Sequence, residues 1–298
     1  MEPKVYLDYT QEELDRQYEH RSFVADGDEY LTRTHDESAR VHAAAVAAGS
    51  GKFDVPYGPH ADQLLDIYLA PGDGKRPVVM FYHGGRWSRG GKTSNVESAA
   101  MYNAAGIHFV SVGFTLVPET TLDGLIGQCR DAVAWLWRNA ASFGGDPDQL
   151  YVMGKSSGGH VAGMMVTTDW PAARSVPADV LKGGLLVSGM YDLEPVRLSF
   201  RNGFLGLDEG AALRNSSIHH IPANGPPIIV GYGSLETDEF QRQSKTFAAA
   251  WRECGLECRL VEMADRHHYS LTADLSDPDG GLAAPFLERI GVTAPVTG

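Results

Sequence analysis

Leu150-Tyr151-Val152-Met153 runs into Gly154-Lys155-Ser156-Ser157-Gly158, and a helical stretch through Val161 and Met165 follows. Strand, tight turn and helix are the context in which a G-x-S-x-G turn exposes a serine at the top of a sheet. Glycine two residues before and two after the serine lets the backbone double back without a side chain striking its neighbours. Both places are glycine around Ser156. In the frame of Ser157 the first becomes Lys155, so Ser156 is the candidate nucleophile. The pentapeptide alone also suits a plain glycine-rich loop. A phosphate loop is less well supported, because neither a full Walker arrangement nor G-x-G-x-x-G is completed here.

Around this turn lie further continuous apolar runs, at Val78 to Tyr82, His108 to Phe114, Leu185 to Val187 and Ile228 to Val230. Such runs suit strands buried on both faces, as parallel strands are. A helical stretch, Leu122 to Phe143, separates two of them and shows one face of Leu125, Cys129, Ala132, Val133, Leu136 and Trp137. Alternating strand and helix predicts an α/β architecture with a mostly parallel sheet. Ahead of it, Phe53, Val55 and Tyr57 alternate, as do Leu65, Ile67 and Leu69, across a turn at Gly58 and Pro59, which predicts a hairpin. Residues 1–51 read as an N-terminal helical cap segment, with a capping box at Thr10 and Glu13 and an alanine-rich helix stopping at Gly49. Residues 52–298 then form one catalytic domain, with a lid-like insertion at about 194–221.

His83-Gly84-Gly85-Arg86-Trp87 follows the strand Val78 to Tyr82, where an oxyanion loop belongs. Backbone N–H groups of Gly84 and Gly85, with that of Ser157, are the candidate oxyanion donors, each worth a few kcal/mol to a tetrahedral intermediate. His83 reads as a structural side chain that fixes the loop. In folds built on this turn the chain order is serine, acid, histidine. The acid is then Glu236 or Asp238, after the strand Ile228 to Val230. The base is His267 or His268, after the strand Arg259 to Met263. Composition leaves both pairs open, and His219 and His220 come too early in the chain.

The chain has 298 residues, with 25 Lys and Arg against 38 Asp and Glu, a formal charge of −13. That field repels phosphate backbones, and no basic run relieves it, so nucleic acid is not an expected partner. The three cysteines are odd in number and lack zinc-ligand spacing. No H-E-x-x-H, paired C-x-x-C or dinucleotide fingerprint is present, so the expected chemistry uses no metal and no organic cofactor. No apolar run reaches 18 residues, and the acidic start is unlike a signal peptide, so no membrane is expected and the cytoplasm is the expected location. The expected partner is a small-molecule substrate, with self-association as a homodimer left open.

Together these residues resemble the arylformamidase (kynurenine formamidase) branch of the α/β-hydrolase superfamily, akin to the hormone-sensitive-lipase-like esterases. The resemblance spans Leu7-Asp8-Tyr9, Gln17-Tyr18 with Arg21, His83-Gly84-Gly85 with Trp87, and the serine turn. It continues through Ser188-Gly189-Met190-Tyr191-Asp192-Leu193-Glu194-Pro195 and Glu239-Phe240-Gln241-Arg242-Gln243-Ser244 to His268-Tyr269-Ser270. It implies Ser156 as nucleophile, Glu236 as acid and His268 as base. The implied reaction is cofactor-independent cleavage of an amide, in particular a formamide, or of an ester of a small aromatic molecule, through an acyl-enzyme. A carboxylesterase or carbamate hydrolase is the alternative, and a non-catalytic ligand-binding homologue a remoter one. The residue before the serine is commonly histidine in such enzymes and is Lys155 here, while Arg86 stands where an aromatic or small residue is common. Both departures add a cation beside the expected reaction centre, so Arg86 and Lys155, with Trp87 and Tyr191, are the expected substrate-binding residues. Arg86 is the better placed to meet an anionic group on the substrate.

Overall fold

The computed structural model describes residues 2–292; positions 293–298 of the expected catalytic domain lie outside the described residues. Eight strands form one sheet: β1 Gly51–Pro56, β2 Leu64–Tyr68, β3 Arg76–Tyr82, β4 His108–Val112, β5 Gly145–Lys155, β6 Leu181–Val187, β7 Ile228–Gly233 and β8 Cys258–Met263. Their spatial order is β1-β2-β4-β3-β5-β6-β7-β8. β1 pairs antiparallel with β2, as the alternating hairpin pattern predicts; β2 also pairs antiparallel with β4, and every later pairing is parallel.

The continuous apolar runs arise because this sheet is covered on both faces. Along β3, Val78, Met80 and Tyr82 pack into one core with Leu125, Cys129 and Leu136 of the helix Leu122–Asn139. Val79 and Phe81 point to the opposite core, with Phe286 and Leu287 of the helix Ala283–Ile290. Strand period two is therefore present, but both phases are hydrophobic. β6 begins at Leu181, earlier than its apolar run, because Lys182, Gly183 and Gly184 extend the ladder without looking like a strand. β4 stops at Val112, where Gly113 donates its N–H to Leu64 O and the chain leaves the sheet.

The N-terminal segment carries the expected capping box at Thr10, ahead of the helix Gln11–Gln17. Its long helix, Gly27–Ala48, ends at Gly49 in the left-handed region, φ 62°. The stretch from Glu194 to His219 holds short helices, Glu194–Leu198, Asn202–Leu205 and Glu209–Arg214. These two pieces, far apart in sequence, bind each other. Gln11 Nε2 donates to Leu198 O at 2.9 Å, Phe200 N to Asp15 Oδ1 at 2.6 Å, and Arg201 Nη2 to Tyr18 O at 2.6 Å. Thr237 Oγ1 and Glu239 N anchor the same segment to the helix Asp238–Glu253 through Gln17. The tertiary structure thus folds residues 18–21 over the C-terminal ends of the parallel strands. Among the described residues no helix is long and apolar enough to cross a membrane.

Candidate active site

β5 ends at Lys155, and the helix Ser157–Val166 starts two residues later, leaving Ser156 to make the whole turn at φ 60°, ψ −125°. This is a costly conformation for a residue with a Cβ, of order 1–3 kcal/mol, and surrounding packing has to hold it. The glycines explain how. A Cβ on Gly158 would lie 1.9 Å from Tyr82 O, and one on Gly154 would lie 2.2 Å from Gly158 O. Both obstacles are backbone atoms that cannot step aside. Gly158→Ala and Gly154→Ala are each expected to lose about 3 kcal/mol or more, a Tm fall of roughly 6–12 °C. Gly203→Ala, with nothing near its added Cβ, should leave Tm nearly unchanged. Thermal unfolding of the three variants checks this, and equal melting temperatures would remove the steric explanation of the turn.

Glu236 lies just beyond β7. Its Oε2 accepts from Ser188 Oγ at 2.7 Å and from Gly233 N at 2.8 Å, and its Oε1 stands 2.5 Å from His268 Nδ1. A carboxylate can only accept, so Nδ1 is the ring's donor and Nε2 is left as its acceptor. Burial raises the Glu236 pKa, against which the Gly233 N–H acts, followed by the positive environment and the Ser188 hydroxyl. Burial, then the charges of Lys155 and Arg201, holds His268 well below the ordinary histidine value, so its free nitrogen is unprotonated at neutral pH. Asp238, the other candidate acid, is exposed in the first turn of the helix Asp238–Glu253. His267, the other candidate base, turns its Nε2 towards Asp26 Oδ1 at 3.4 Å.

Ser156 and His268 line one cavity of about 300 Å³, together with Gly84, Gly85, Arg86 and Lys155. Gly84 lies against the serine turn: a Cβ there would sit 3.5 Å from Ser156 Cβ. Gly85 has φ 126°, and a Cβ would strike Arg89 O at 2.2 Å, so only glycine fits. Ser157 is buried as the first residue of its helix, where backbone N–H groups have no helical partner. His83 stacks on Phe114 with centroids 4.5 Å apart and donates from Nδ1 to Gly84 O at 2.8 Å, the bracing role expected of it. Lys155 Nζ donates to Thr272 Oγ1 at 2.7 Å, and burial pulls its pKa down to about 8.

Two of the expected substrate-binding residues are placed elsewhere. Trp87 is buried behind the loop, and its Nε1 donates to His160 Nδ1 at 3.0 Å, while His160 Nε2 donates to Asn215 O at 2.8 Å. Tyr191 stacks on Phe247 in the core, centroids 4.3 Å apart. Neither lines the cavity. An aromatic ring beside a functional loop fits a cavity wall or a packing support equally well in sequence, and here the support is realised.

Among the cavity-wall residues that the sequence pattern does not single out are His20 and Arg201. His20, in a short turn of the N-terminal segment, stacks on His268 with centroids 3.9 Å apart and planes 5° from parallel. Arg201, from the insertion, crosses the Tyr18 and Phe240 rings. Ser188, in the stretch Ser188 to Pro195, acquires its role only in the fold, where its hydroxyl donates to Glu236 Oε2. A serine immediately after a parallel strand, near the acid-bearing strand, is the signal that was available.

A family model described as BD-FAE matches residues 65–173. The esterase B structure from Lactobacillus rhamnosis superposes with a TM-score of 0.69 at 17% identity, covering 90% of this chain and 96% of that one. An isoprenylcysteine alpha-carbonyl methylesterase of Arabidopsis thaliana is 26% identical, over 75% of this chain and 57% of its own length. A kynurenine formamidase of Danio rerio is 30% identical over 270 residues, 86% of this chain and 90% of that protein. Likeness at that level along nearly both full lengths, on an α/β-hydrolase sheet, places the chain in the kynurenine formamidase family, as a hydrolase of amide or ester bonds.

Proposed function

We propose that the protein is a serine hydrolase that removes a small acyl group, above all formyl, from an aromatic amine. The observation that carries this reading is the pairing of His268 Nδ1 with Glu236 Oε1 at 2.5 Å on the wall of the cavity that also holds the strained Ser156. In the proposed reaction Ser156 Oγ attacks the acyl carbon while His268 Nε2 takes its proton. The N–H groups of Gly84, Gly85 and Ser157 meet the oxyanion. The tetrahedral adduct then collapses, the C–N bond breaks, and His268 returns the proton to the leaving amine. Water, deprotonated by the same ring, attacks the acyl-enzyme, releases the carboxylic acid and restores the serine. A volume near 300 Å³ with Tyr18, Tyr30, Phe81 and Tyr269 on its wall suits a single aromatic ring rather than a long acyl chain.

Ester cleavage is the second reading, and the methylesterase relative is what favours it. Specificity constants for N-formylkynurenine and formanilide against 4-nitrophenyl acetate and butyrate separate the two. The formamidase reading expects kcat/KM for N-formylkynurenine to exceed that for either ester after allowance for intrinsic reactivity. Rapid ester turnover with no formamide cleavage would make the protein a carboxylesterase instead.

A further inference from the structure

The ring of His268 has a second histidine against its face. His20, in the short turn His20–Ser22 of the N-terminal segment, stacks on it with centroids 3.9 Å apart and planes 5° from parallel. Phe240 stands steeply to both rings, 4.4 Å from His20 and 5.1 Å from His268, and Tyr269 does the same at 6.4 and 5.8 Å. His20 is buried on the cavity wall, and its Nε2 has no hydrogen-bond partner among the described residues. What the ring presents to His268 is its face. The segment that carries it is anchored by other groups: Arg201 Nη2 holds Tyr18 O, while Thr237 Oγ1 and Glu239 N hold Gln17.

A base in this position needs such a contact. Glu236 fixes one ring atom, Nδ1, and a flat ring on an sp³ carbon has only a broad torsional preference, so it can still swing about that bond. A flat group against its face fixes the plane as well, and with it the direction of Nε2. The group has also to be uncharged, because a cation 3.9 Å away would oppose the proton that His268 takes up. Burial holds His20 well below the ordinary histidine value, followed by the charges of His268 and Arg201; Glu236 acts against them and Lys155 with them. The charged and titratable groups facing His268 itself are Glu236, Lys155, Arg201, His267, Tyr269 and His20.

We propose that His20 is a positioning residue for the base: its neutral ring fixes the plane of His268 and keeps water from its face, so that Nε2 stays in line for the serine proton. The proposal rests on the serine-hydrolase reading and deepens it with a residue from outside the Ser156, His268 and Glu236 set.

The test compares His20→Ala, His20→Leu and His20→Phe in the full chain. One readout is the pH dependence of Ser156 labelling by a fluorophosphonate, in which Oγ bonds to phosphorus, fluoride leaves and His268 Nε2 takes the proton. The other is kcat and KM for 4-nitrophenyl acetate. His20→Ala opens the face of His268 to water, which weakens the burial that holds its pKa down, so that pKa rises. The unprotonated base is then lost at a higher pH on acidification. The acid limb of labelling should move up by roughly one pH unit, and the plateau rate should fall about 10- to 100-fold. His20→Leu fills the space without a flat face and should lower kcat about 10-fold with KM little changed. His20→Phe restores the flat face and should bring kcat back to within about threefold of wild type. Equal kcat for the folded Leu and Phe variants overturns the proposal, and this comparison stands even where His20→Ala does not fold. An unmoved acid limb in folded His20→Ala overturns it too: a ring that only packs its segment would lower Tm and raise KM while leaving kcat and the acid limb in place. Wild type that takes no label on Ser156 removes the serine-hydrolase reading and the proposal with it. Labelled wild type with variants that match it in rate and pH profile removes the role of His20 alone.

Discussion

Ser156→Ala is expected to lower kcat by about four to six orders of magnitude with the fold intact. The side chain is the only protein group in the proposed mechanism that forms a bond to the acyl carbon, so no neighbour substitutes for it. Ser157 is one residue away but buried at the start of its helix. Lys155 is nearby and has a depressed pKa, yet it is held on Thr272 Oγ1. Alanine keeps a Cβ at the same positive φ, so it retains the strain of the turn and isolates the loss of the hydroxyl. Intact-mass measurement after treatment with a fluorophosphonate should add one label to wild type and none to the variant, alongside unchanged circular dichroism. Near-normal turnover in a pure Ser156→Ala sample would end the serine mechanism.

Glu236→Gln is expected to cost about three to four orders of magnitude in kcat, and Asp238→Asn less than about threefold. The carboxylate accepts three hydrogen bonds, from His268, Ser188 and Gly233. A glutamine amide offers one oxygen to three donors and turns an N–H group towards at least one of them. Its preferred orientation then either leaves His268 unbraced or forces the ring into the tautomer whose Nε2 already carries a proton. The loss of negative charge has a second consequence with a definite sign. His268 is already held low by burial and by the charges of Lys155 and Arg201, and removal of the carboxylate disfavours the imidazolium further. The acid limb of kcat/KM should therefore move to lower pH in whatever activity remains. A large loss in Asp238→Asn with Glu236→Gln near wild type would transfer the role, against the exposed position of Asp238 in the fold.

The α/β architecture was legible because its local signals agree. Apolar runs buried on both faces, a hairpin of period two, a capping box at Thr10 and glycines flanking Ser156 are short-range facts that the chain carries wherever it folds. Chain order narrowed the acid and base to two candidates each, and the wider resemblance pointed to Glu236 and His268. Local pattern alone left those pairs open, because adjacent polar residues in a loop differ in environment only after neighbouring strands close around them. Glu236 is enclosed by Ser188 from β6's end and His268 from beyond β8, while Asp238, two residues on, faces solvent.

Trp87 and Tyr191 show the converse limit: their types suit a binding wall, but the positions of His160 and Phe247 draw them into the core. Arg201 and His20 lie furthest from what sequence pattern conveys. Each sits in an irregular segment with no periodicity, and they meet at the cavity because the insertion binds Tyr18 across 183 residues of chain and His20 stacks on His268 across 248. Secondary structure follows from propensity and spacing within a few residues. The composition of the cavity wall depends on which distant loops the packed sheet brings together, and that is set by burial and hydrogen bonding across the whole fold.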